Sequence, residues 1–343
     1  MKSVASGGNG ADLESRRGGK PVGMVLDEHD LGIIAMMEND ARQGVGEMAG
    51  ALGIHRNTVA AKLNRLMRQR IIRPGVYVDP RTLGYRAPAI IGIKVAPGEI
   101  ERVAARAASQ PNIHHVHICV GRYDILLAGS LFRDEGDLLS FVTNDLSRTP
   151  GVTAVETMIT VGLSKVGFGM VDTVSSDRPM SAREREAVGA SLDDGDHAII
   201  MELQRNARQP VFAMASALGM NRNTVAAKLR RLIDEGIVRA VVVADPVSMG
   251  YQVIAAIGLS VLPGQIEAVA VRLKTRRNMQ AVILCIGRYN IMVWCLCRDL
   301  EELYGTLTEA LAEVPGIRDV ETMLILRTKK ATLDYLQPAL RAG

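Results

Sequence analysis

Apolar positions recur at helical spacing once the first two dozen residues are passed. Leu26 to Asn39 (LDEHDLGIIAMMEN) sets Leu31, Ile34, Ala35 and Met37 on one side behind Asp27, which is placed to cap the helix. Val45 to Leu52 predicts a second, short helix, stopped by Gly53, a residue suited to the positive φ of a tight turn. A third helix is predicted from about Arg56 to Gln69, with Val59, Leu63 and Leu66 as its inward stripe and Arg56, Asn57, Thr58, Ala60, Ala61, Asn64 and Arg65 largely on the other side. The texture then changes. Ala89 to Val95 is a β-branched run, and Pro97-Gly98 leads into an amphipathic helix, Glu99 to Ser109. Ile113 to Val120 and Tyr123 to Leu131 read as strands joined at Gly121-Arg122. Asp134 to Arg148 is again helical, Pro150-Gly151 breaks it, and Val152 to Leu163 alternates as a last strand. The order β-α-β-β-α-β is the ferredoxin-like split βαβ.

The whole pattern then repeats. Ala51 to Leu66 (ALGIHRNTVAAKLNRL) and Ala217 to Leu232 (ALGMNRNTVAAKLRRL) differ at three of sixteen positions, at an offset of 166 residues. Asp79-Pro80 returns as Asp245-Pro246, Gly84-Tyr85 as Gly250-Tyr251, Gly121-Arg122-Tyr123 as Gly287-Arg288-Tyr289, and Pro150-Gly151 as Pro315-Gly316. A match of that length marks a tandem duplication of a complete module rather than a solenoid. The expected fold is therefore α+β: two copies of a (winged) helix-turn-helix domain, each followed by a ferredoxin-like βαββαβ domain. The expected layout is a disordered tail over 1–24, a first helix-turn-helix over 25–80 and a first ferredoxin-like domain over 84–165. A linker over 166–191, a second helix-turn-helix over 192–246 and a second ferredoxin-like domain over 250–331 complete it.

Composition narrows the chemistry. Only 3% of the residues are aromatic against 48% hydrophobic, so the cores are aliphatic and base stacking on aromatic platforms is disfavoured. Apolar runs are too short or interrupted for a membrane span, and the N-terminus lacks a secretory signal, which suggests the cytoplasm. Cys119, Cys285, Cys295 and Cys297 sit in apolar strand-like runs without metal-ligand spacing, so buried thiols and no metal are expected. No cofactor-binding motif and no catalytic Ser/His/Asp set is present, and an enzyme is not the expected class.

Charge is informative locally. The net charge is only +4, yet Met48 to Val78 holds no acidic residue against Arg56, Lys62, Arg65, Arg68, Arg70 and Arg73. In the second copy Arg222, Lys228, Arg230, Arg231 and Arg239 are met by Asp234 and Glu235. A helix, a turn holding a glycine and a helix with a basic polar face form the helix-turn-helix pattern, and the basic cluster is the footprint of phosphate contact. The expected DNA-binding residues are Arg56, Asn57, Thr58, Ala61, Lys62 and Arg65, with Arg222, Asn223, Thr224, Ala227, Lys228 and Arg231 in the second copy.

Leu26-Asp27, the Gly53 turn before Arg56-Asn57-Thr58-Val59, Asp79-Pro80, Gly84-Tyr85, Gly121-Arg122-Tyr123-Asp124 and Pro150-Gly151-Val152, in this order, resemble the leucine-responsive/asparagine regulator (Lrp/AsnC) family. The resemblance covers 26–165 and 192–330; typical members carry one such unit, so the fusion departs from the pattern. It implies a sequence-specific transcriptional regulator that binds double-stranded DNA, pairs through its ferredoxin-like sheets, assembles further, and senses an amino acid or related small metabolite. On the matching positions the effector-binding residues would be Gly121, Arg122, Tyr123 and Asp124. The second copy carries Asn290 in place of Asp124, so the ammonium of an effector would meet an amide dipole there instead of a charge. Within the recognition helix Asn57, Thr58 and Arg65 are left to read bases, Ala61 can pack on a thymine methyl, and Arg56 and Lys62 suit phosphate. With both units on one chain, residues 85–165 are expected to pack on 250–330 as an intramolecular pseudo-dimer with their sheet faces covered. Differences at His55/Asn221 and Asn64/Arg230 predict an imperfect palindrome. A siroheme-decarboxylase-like enzyme shares this layout, and His114, His115 and His117 alternate on a predicted strand. Their counterparts are Gln280, Ala281 and Ile283, and the His-Asn-Tyr-x-Arg signature of those enzymes is absent. A metabolite sensor whose helix-turn-helix only packs is the third alternative.

Overall fold

The computed structural model describes residues 26–166 and 191–333; the tail over 1–24 and nearly all of the linker over 166–191 lie outside the described residues. The first half opens with α1 (Glu28–Asn39), α2 (Val45–Leu52) and α3 (Arg56–Arg68). Asp27 caps α1 by accepting from the Asp30 N–H at 2.8 Å, and Asp30 Oδ2 accepts from the Asp27 N–H at 3.1 Å, a reciprocal capping box. Gly53 closes α2 at φ 66°, the left-handed conformation the turn requires. Ile33, Ile34, Met37, Met48, Val59, Leu63 and Leu66 form the shared core of the three helices.

Next come β1 (Ile72–Val78), β2 (Ala89–Val95), α4 (Ile100–Ala108), β3 (Ile113–Val120), β4 (Ile125–Ser130), α5 (Glu135–Ser140) and β5 (Val152–Val166). The second half repeats the order with α6 (Asp194–Arg205), α7 (Val211–Leu218), α8 (Arg222–Asp234), β6 (Val238–Ala244) and β7 (Val253–Val261). It ends with α9 (Ile266–Lys274), β8 (Met279–Ile286), β9 (Ile291–Cys297), α10 (Leu300–Gly305) and β10 (Ile317–Ala331).

Three details depart from the sequence pattern. The helix expected over Asp134 to Arg148 is α5 followed by a π-helical stretch, Phe141–Leu146, and β5 runs on to Val166, beyond the expected end at Leu163. The strand expected from Tyr123 begins at Ile125, because Tyr123 and Asp124 are held in the turn. Strands β1 and β6 have no counterpart in the expected elements. Pro74 and Gly75 make β1 look like a loop, but in a two-stranded ribbon one side of the strand needs no donors, and there proline is tolerated.

The two halves pair within one chain. Strands β3-β4-β2-β5 and β8-β9-β7-β10 each have the ferredoxin-like order, and β5 with β8 and β10 with β3 join their edges into one closed barrel. The two seams are equivalent: Ile159 pairs with Ile286 across one, and their repeat counterparts Leu324 and Val120 pair across the other. Closure removes every open strand edge of the two sheets. Ile90, Cys119, Tyr123, Leu126 and Met158 meet Ala256, Cys285, Tyr289, Met292 and Met323 in a single buried cluster, so the open faces of the sheets cover each other.

The helical domains are linked by exchange. Strands β1 and β6 pair antiparallel about Gly75 and Val241, which are repeat equivalents and so mark the local pseudo-two-fold axis. Val76 and Val78 of β1 are buried in the core of the second helical domain with Ile199, Ile200 and Leu203, while Val242 and Ala244 of β6 complete the first. Burying a valine side chain contributes about 1.5–3 kcal/mol, so each helical domain depends on the other's strand. Arg42 donates to the carbonyls of Ala207 at 2.6 Å and Gln209 at 3.1 Å, and Arg208 returns the contact to Ala41 at 2.5 Å and Gln43 at 3.0 Å. This reciprocal clamp fixes the mutual placement of the two helix-turn-helix domains.

Candidate functional site

Helix α3 packs inward through Val59, Leu63 and Leu66. At 100° per residue, positions 57, 61, 64 and 68 fall within about 60° of one another on the opposite side. All four, Asn57, Ala61, Asn64 and Arg68, are exposed, and so are Arg56 and Thr58 at the N-terminal turn. On α8 the corresponding face is Asn223, Ala227, Arg230 and Asp234, again exposed, with Arg222 and Thr224 beside it. The N-caps differ but act alike: His55 Nδ1 accepts from the Asn57 N–H at 3.2 Å, and Asn221 Oδ1 from the Asn223 N–H at 2.8 Å. Each helix therefore presents its N-terminal turn and one polar stripe outward.

Lys62 and Arg65 stand elsewhere. Lys62 Nζ donates to Asp27 at 2.5 Å and to Asp30 at 3.2 Å, and Arg65 Nη2 donates to Asp30 at 2.5 Å. The second copy repeats the arrangement with Lys228 on Asp193 and Asp196 and Arg231 on Asp196. The hydrogen bond from Lys62 lowers the Asp27 carboxyl to about 2, and Lys228 does the same for Asp193. Burial alone raises the Asp196 pKa, but the Asp193 N–H, Arg231 and Lys228 outweigh it and hold the group below its ordinary value. The acid-free run of the sequence thus acquires two acids from α1 and its cap. The signal was present as a 35-residue spacing, Asp27 to Lys62 and Asp30 to Arg65, kept in both copies. Arg73, also counted in the basic run, is half-buried, and burial lowers its pKa.

The four residues of the expected effector turn come together at the junction of the two halves. Gly121 has φ 136°, and a Cβ there would lie 2.6 Å from the Thr322 carbonyl of β10, so only glycine fits both the conformation and the approach. Tyr123 is buried against Gly92, and its hydroxyl donates to Glu156 Oε2 at 2.7 Å. Arg122 donates to the same oxygen at 2.9 Å and faces Glu321 of the other half at 3.8 Å. Across the pseudo-axis Tyr289 donates to Glu321 at 2.7 Å, Arg288 pairs with Glu321, and Arg288 faces Glu156 at 4.0 Å. Burial, reinforced by the hydrogen bond to Glu321, pushes the Tyr289 hydroxyl up to about 12. Asp124 is turned toward its own half, accepting from the Val95 N–H at 2.8 Å and from Lys94 at 3.1 Å. Asn290 accepts from the Val261 N–H at 2.8 Å in the same way, so the two turns are alike in form and differ in charge. Sequence reasoning missed Glu156 and Glu321, which lie outside the turn motif.

Of the histidines of β3, His115 and His117 line the seam with β10, and His114 turns to β4 of its own half. His114 Nδ1 lies 2.9 Å from the Gly129 carbonyl oxygen, His115 Nε2 lies 3.1 Å from that of Thr332, and His117 Nδ1 lies 3.0 Å from Thr328 Oγ1. Burial, with His115 adjacent, lowers the His117 pKa to about 3. The four cysteines are buried and free, and burial pushes Cys119 and Cys285 up to about 12. Among the described residues no cluster of three His, Cys, Asp or Glu side chains could hold a metal, and no helix is long and apolar enough to cross a membrane.

The profile of the Lrp/AsnC ligand-binding domain matches residues 88–166 and 254–334, and that of the AsnC-type helix-turn-helix domain matches 192–233, together more than half of the chain. The chain belongs to the Lrp/AsnC family. A winged helix-turn-helix DNA-binding profile matches the remaining helical domain, 26–73. An uncharacterised HTH-type transcriptional regulator of Pyrococcus abyssi is 29% identical over 147 residues, 43% of this chain and 92% of that protein. The HTH-type transcriptional regulator LrpA of Pyrococcus horikoshii is 26% identical over 140 residues, 40% of this chain and 99% of its own length. Each of these relatives corresponds to one half of the present chain. The crystal structure of the siroheme decarboxylase NirDL aligns over 89% of this chain and 93% of its own, with a TM-score of 0.63 and 18% identity, a likeness of fold alone.

Proposed function

We propose that this Lrp/AsnC chain is a sequence-specific DNA-binding transcriptional regulator that acts as a pseudo-dimer and responds to an amino acid or related small metabolite. The observation that carries the proposal is the pair of near-identical polar faces on α3 and α8, held in a two-fold relation by the β1–β6 ribbon and the Arg42–Arg208 clamp. Arg56, Asn57, Thr58 and Ala61, with Arg222, Asn223, Thr224 and Ala227, form the groove-facing surface. Lys62, Arg65, Lys228 and Arg231 also lie on these helices, where their pairing with acids gives them the task of setting each helix against the first helix of its domain. The test is the salt dependence of binding to duplex DNA. Arg56→Ala and Arg222→Ala should each lower the slope of log K against log salt by about one. No binding by the wild type at low salt, or a slope that neither change moves, refutes the proposal.

Gly121, Arg122, Tyr123 and Asp124 are assigned to the effector. Asp124→Asn is a clean probe, because Asn290 holds the equivalent backbone N–H with an amide oxygen. A metabolite screened by thermal shift should lose its effect in this variant; an undiminished shift moves the site elsewhere. We propose binding rather than catalysis throughout. His115 and His117 face a backbone carbonyl and a threonine across the β3–β10 seam, His114 faces a carbonyl of neighbouring β4, and the second copy dispenses with all three. Anaerobic incubation with siroheme should leave it unchanged.

A further inference from the structure

The outward stripes of α3 and α8 are identical at their first two positions and differ at the third. Asn57 and Ala61 return as Asn223 and Ala227, whereas Asn64 becomes Arg230, and all six are exposed. The strong cations common to both helices beyond the first turn do not distinguish the halves, since Lys62, Arg65, Lys228 and Arg231 are each paired with acids at the start of α1 or α6. We propose that this third position makes the two half-sites unequal in a defined way: Asn64 reads adenine, and Arg230 reads guanine at the symmetry-related base pair. The inference rests on the DNA-binding function proposed above and adds base identity to it.

The chemistry is that of the major-groove edges. Adenine offers one acceptor, N7, beside one donor, the N6 amino group, and a carboxamide matches both at once. Guanine offers two acceptors, N7 and O6, which suit the paired N–H donors of a guanidinium. Exchanged, each side chain sets like against like: Arg230 would aim a donor at the adenine amino group, and Asn64 would leave a guanine acceptor facing its own oxygen. One such mismatch lowers affinity about ten- to hundred-fold. The helix ends reinforce the asymmetry. From the fourth stripe position onward the first copy carries Arg68, Gln69 and Arg70, whereas the second carries Asp234, Glu235 and Gly236. The first half attracts the phosphate backbone there and the second repels it, so the chain settles on its site in one orientation.

Selection of duplexes from a random library by the full-length chain tests this, with Asn64→Arg and Arg230→Asn run in parallel. Both positions are exposed on helices, and a circular-dichroism melt checks that the variants fold. The wild type should enrich sites with an A·T pair in one half and a G·C pair at the related position of the other. Asn64→Arg should convert the first to guanine, Arg230→Asn the second to adenine, and each should yield a more symmetric site. Identical half-sites for the wild type, or a preference that neither substitution moves, overturns the assignment. Absence of any enriched sequence from a folded chain overturns the DNA-binding function itself.

Discussion

Asp30 is the buried anchor on which α3 is set, and replacing it by asparagine should weaken the fold while strengthening the attraction for DNA. Its side chain is 1% exposed and accepts from Lys62 and Arg65, which are 18% and 35% exposed. Removing one partner of a fully buried ion pair costs about 3–5 kcal/mol. Here the cations keep water, Lys62 keeps Asp27, and the introduced carboxamide would still offer an oxygen to the Asp27 N–H, so about 2 kcal/mol is expected. At roughly 2–4 °C per kcal/mol for a unit of 150–250 residues, the melting temperature should fall by roughly 4–8 °C. The freed charge of Arg65 should at the same time steepen the salt dependence of non-specific duplex binding by up to about one unit. Calorimetry and fluorescence titration over a salt series measure the two effects. A melting temperature lowered by less than about 1 °C together with an unchanged salt slope would refute the role given to Asp30.

Two further substitutions probe the barrel. Gly92→Ala would put a Cβ 2.4 Å from the Tyr123 ring, so the ring must shift and its hydroxyl leave Glu156; overpacking and the lost charged hydrogen bond together should cost about 3–4 kcal/mol. Gly46→Ala, which meets nothing within 4 Å on α2, should be neutral or slightly stabilising, and equal melting temperatures for the two variants would contradict the packing described. Because the His117 pKa is lowered by burial to about 3, the unfolded chain takes up a proton that the folded one refuses between about pH 6.5 and pH 3. Stability should therefore fall as pH drops through that window, by up to about 1.4 kcal/mol per unit. His117→Ile, copying Ile283, should flatten the dependence between about pH 7 and 5, whereas the contribution of Asp27 and Asp193 disappears only as pH falls from about 4 toward 2.

Much of this was legible in the residues because it is local. Asp27 caps the helix it precedes, Gly53 adopts the left-handed turn, and Val59, Leu63 and Leu66 face inward. Each of these follows from spacing and from the conformational range of one residue type. What escaped was chemistry between distant segments. Asp30 lies 35 residues from Arg65, and nothing in the run Met48 to Val78 reveals that its cations are partly neutralised from outside. The hydrogen bond from the Val95 N–H to Asp124, 29 residues on, was equally invisible from the place of Asp124 in a turn. Strand β1 was hidden by Pro74 and Gly75, whose penalty vanishes only because the partner strand β6 supplies a single paired side.

The sequence by itself determined two copies of one module, the elements in each copy and their inward faces, because a 166-residue internal repeat and the periods of helix and strand are properties of the chain alone. It also set the difference between the copies at Asn64 and Arg230. The tertiary structure decided how the copies meet: edge to edge at β3–β10 and β5–β8 as well as face to face, with β1 and β6 exchanged between the helical domains. Backbone hydrogen bonds between strand edges carry no side-chain signature, and an apolar face specifies only that it must be covered, not by which neighbour. Those choices are fixed once both sheets close on each other and leave neither an open edge nor an exposed face.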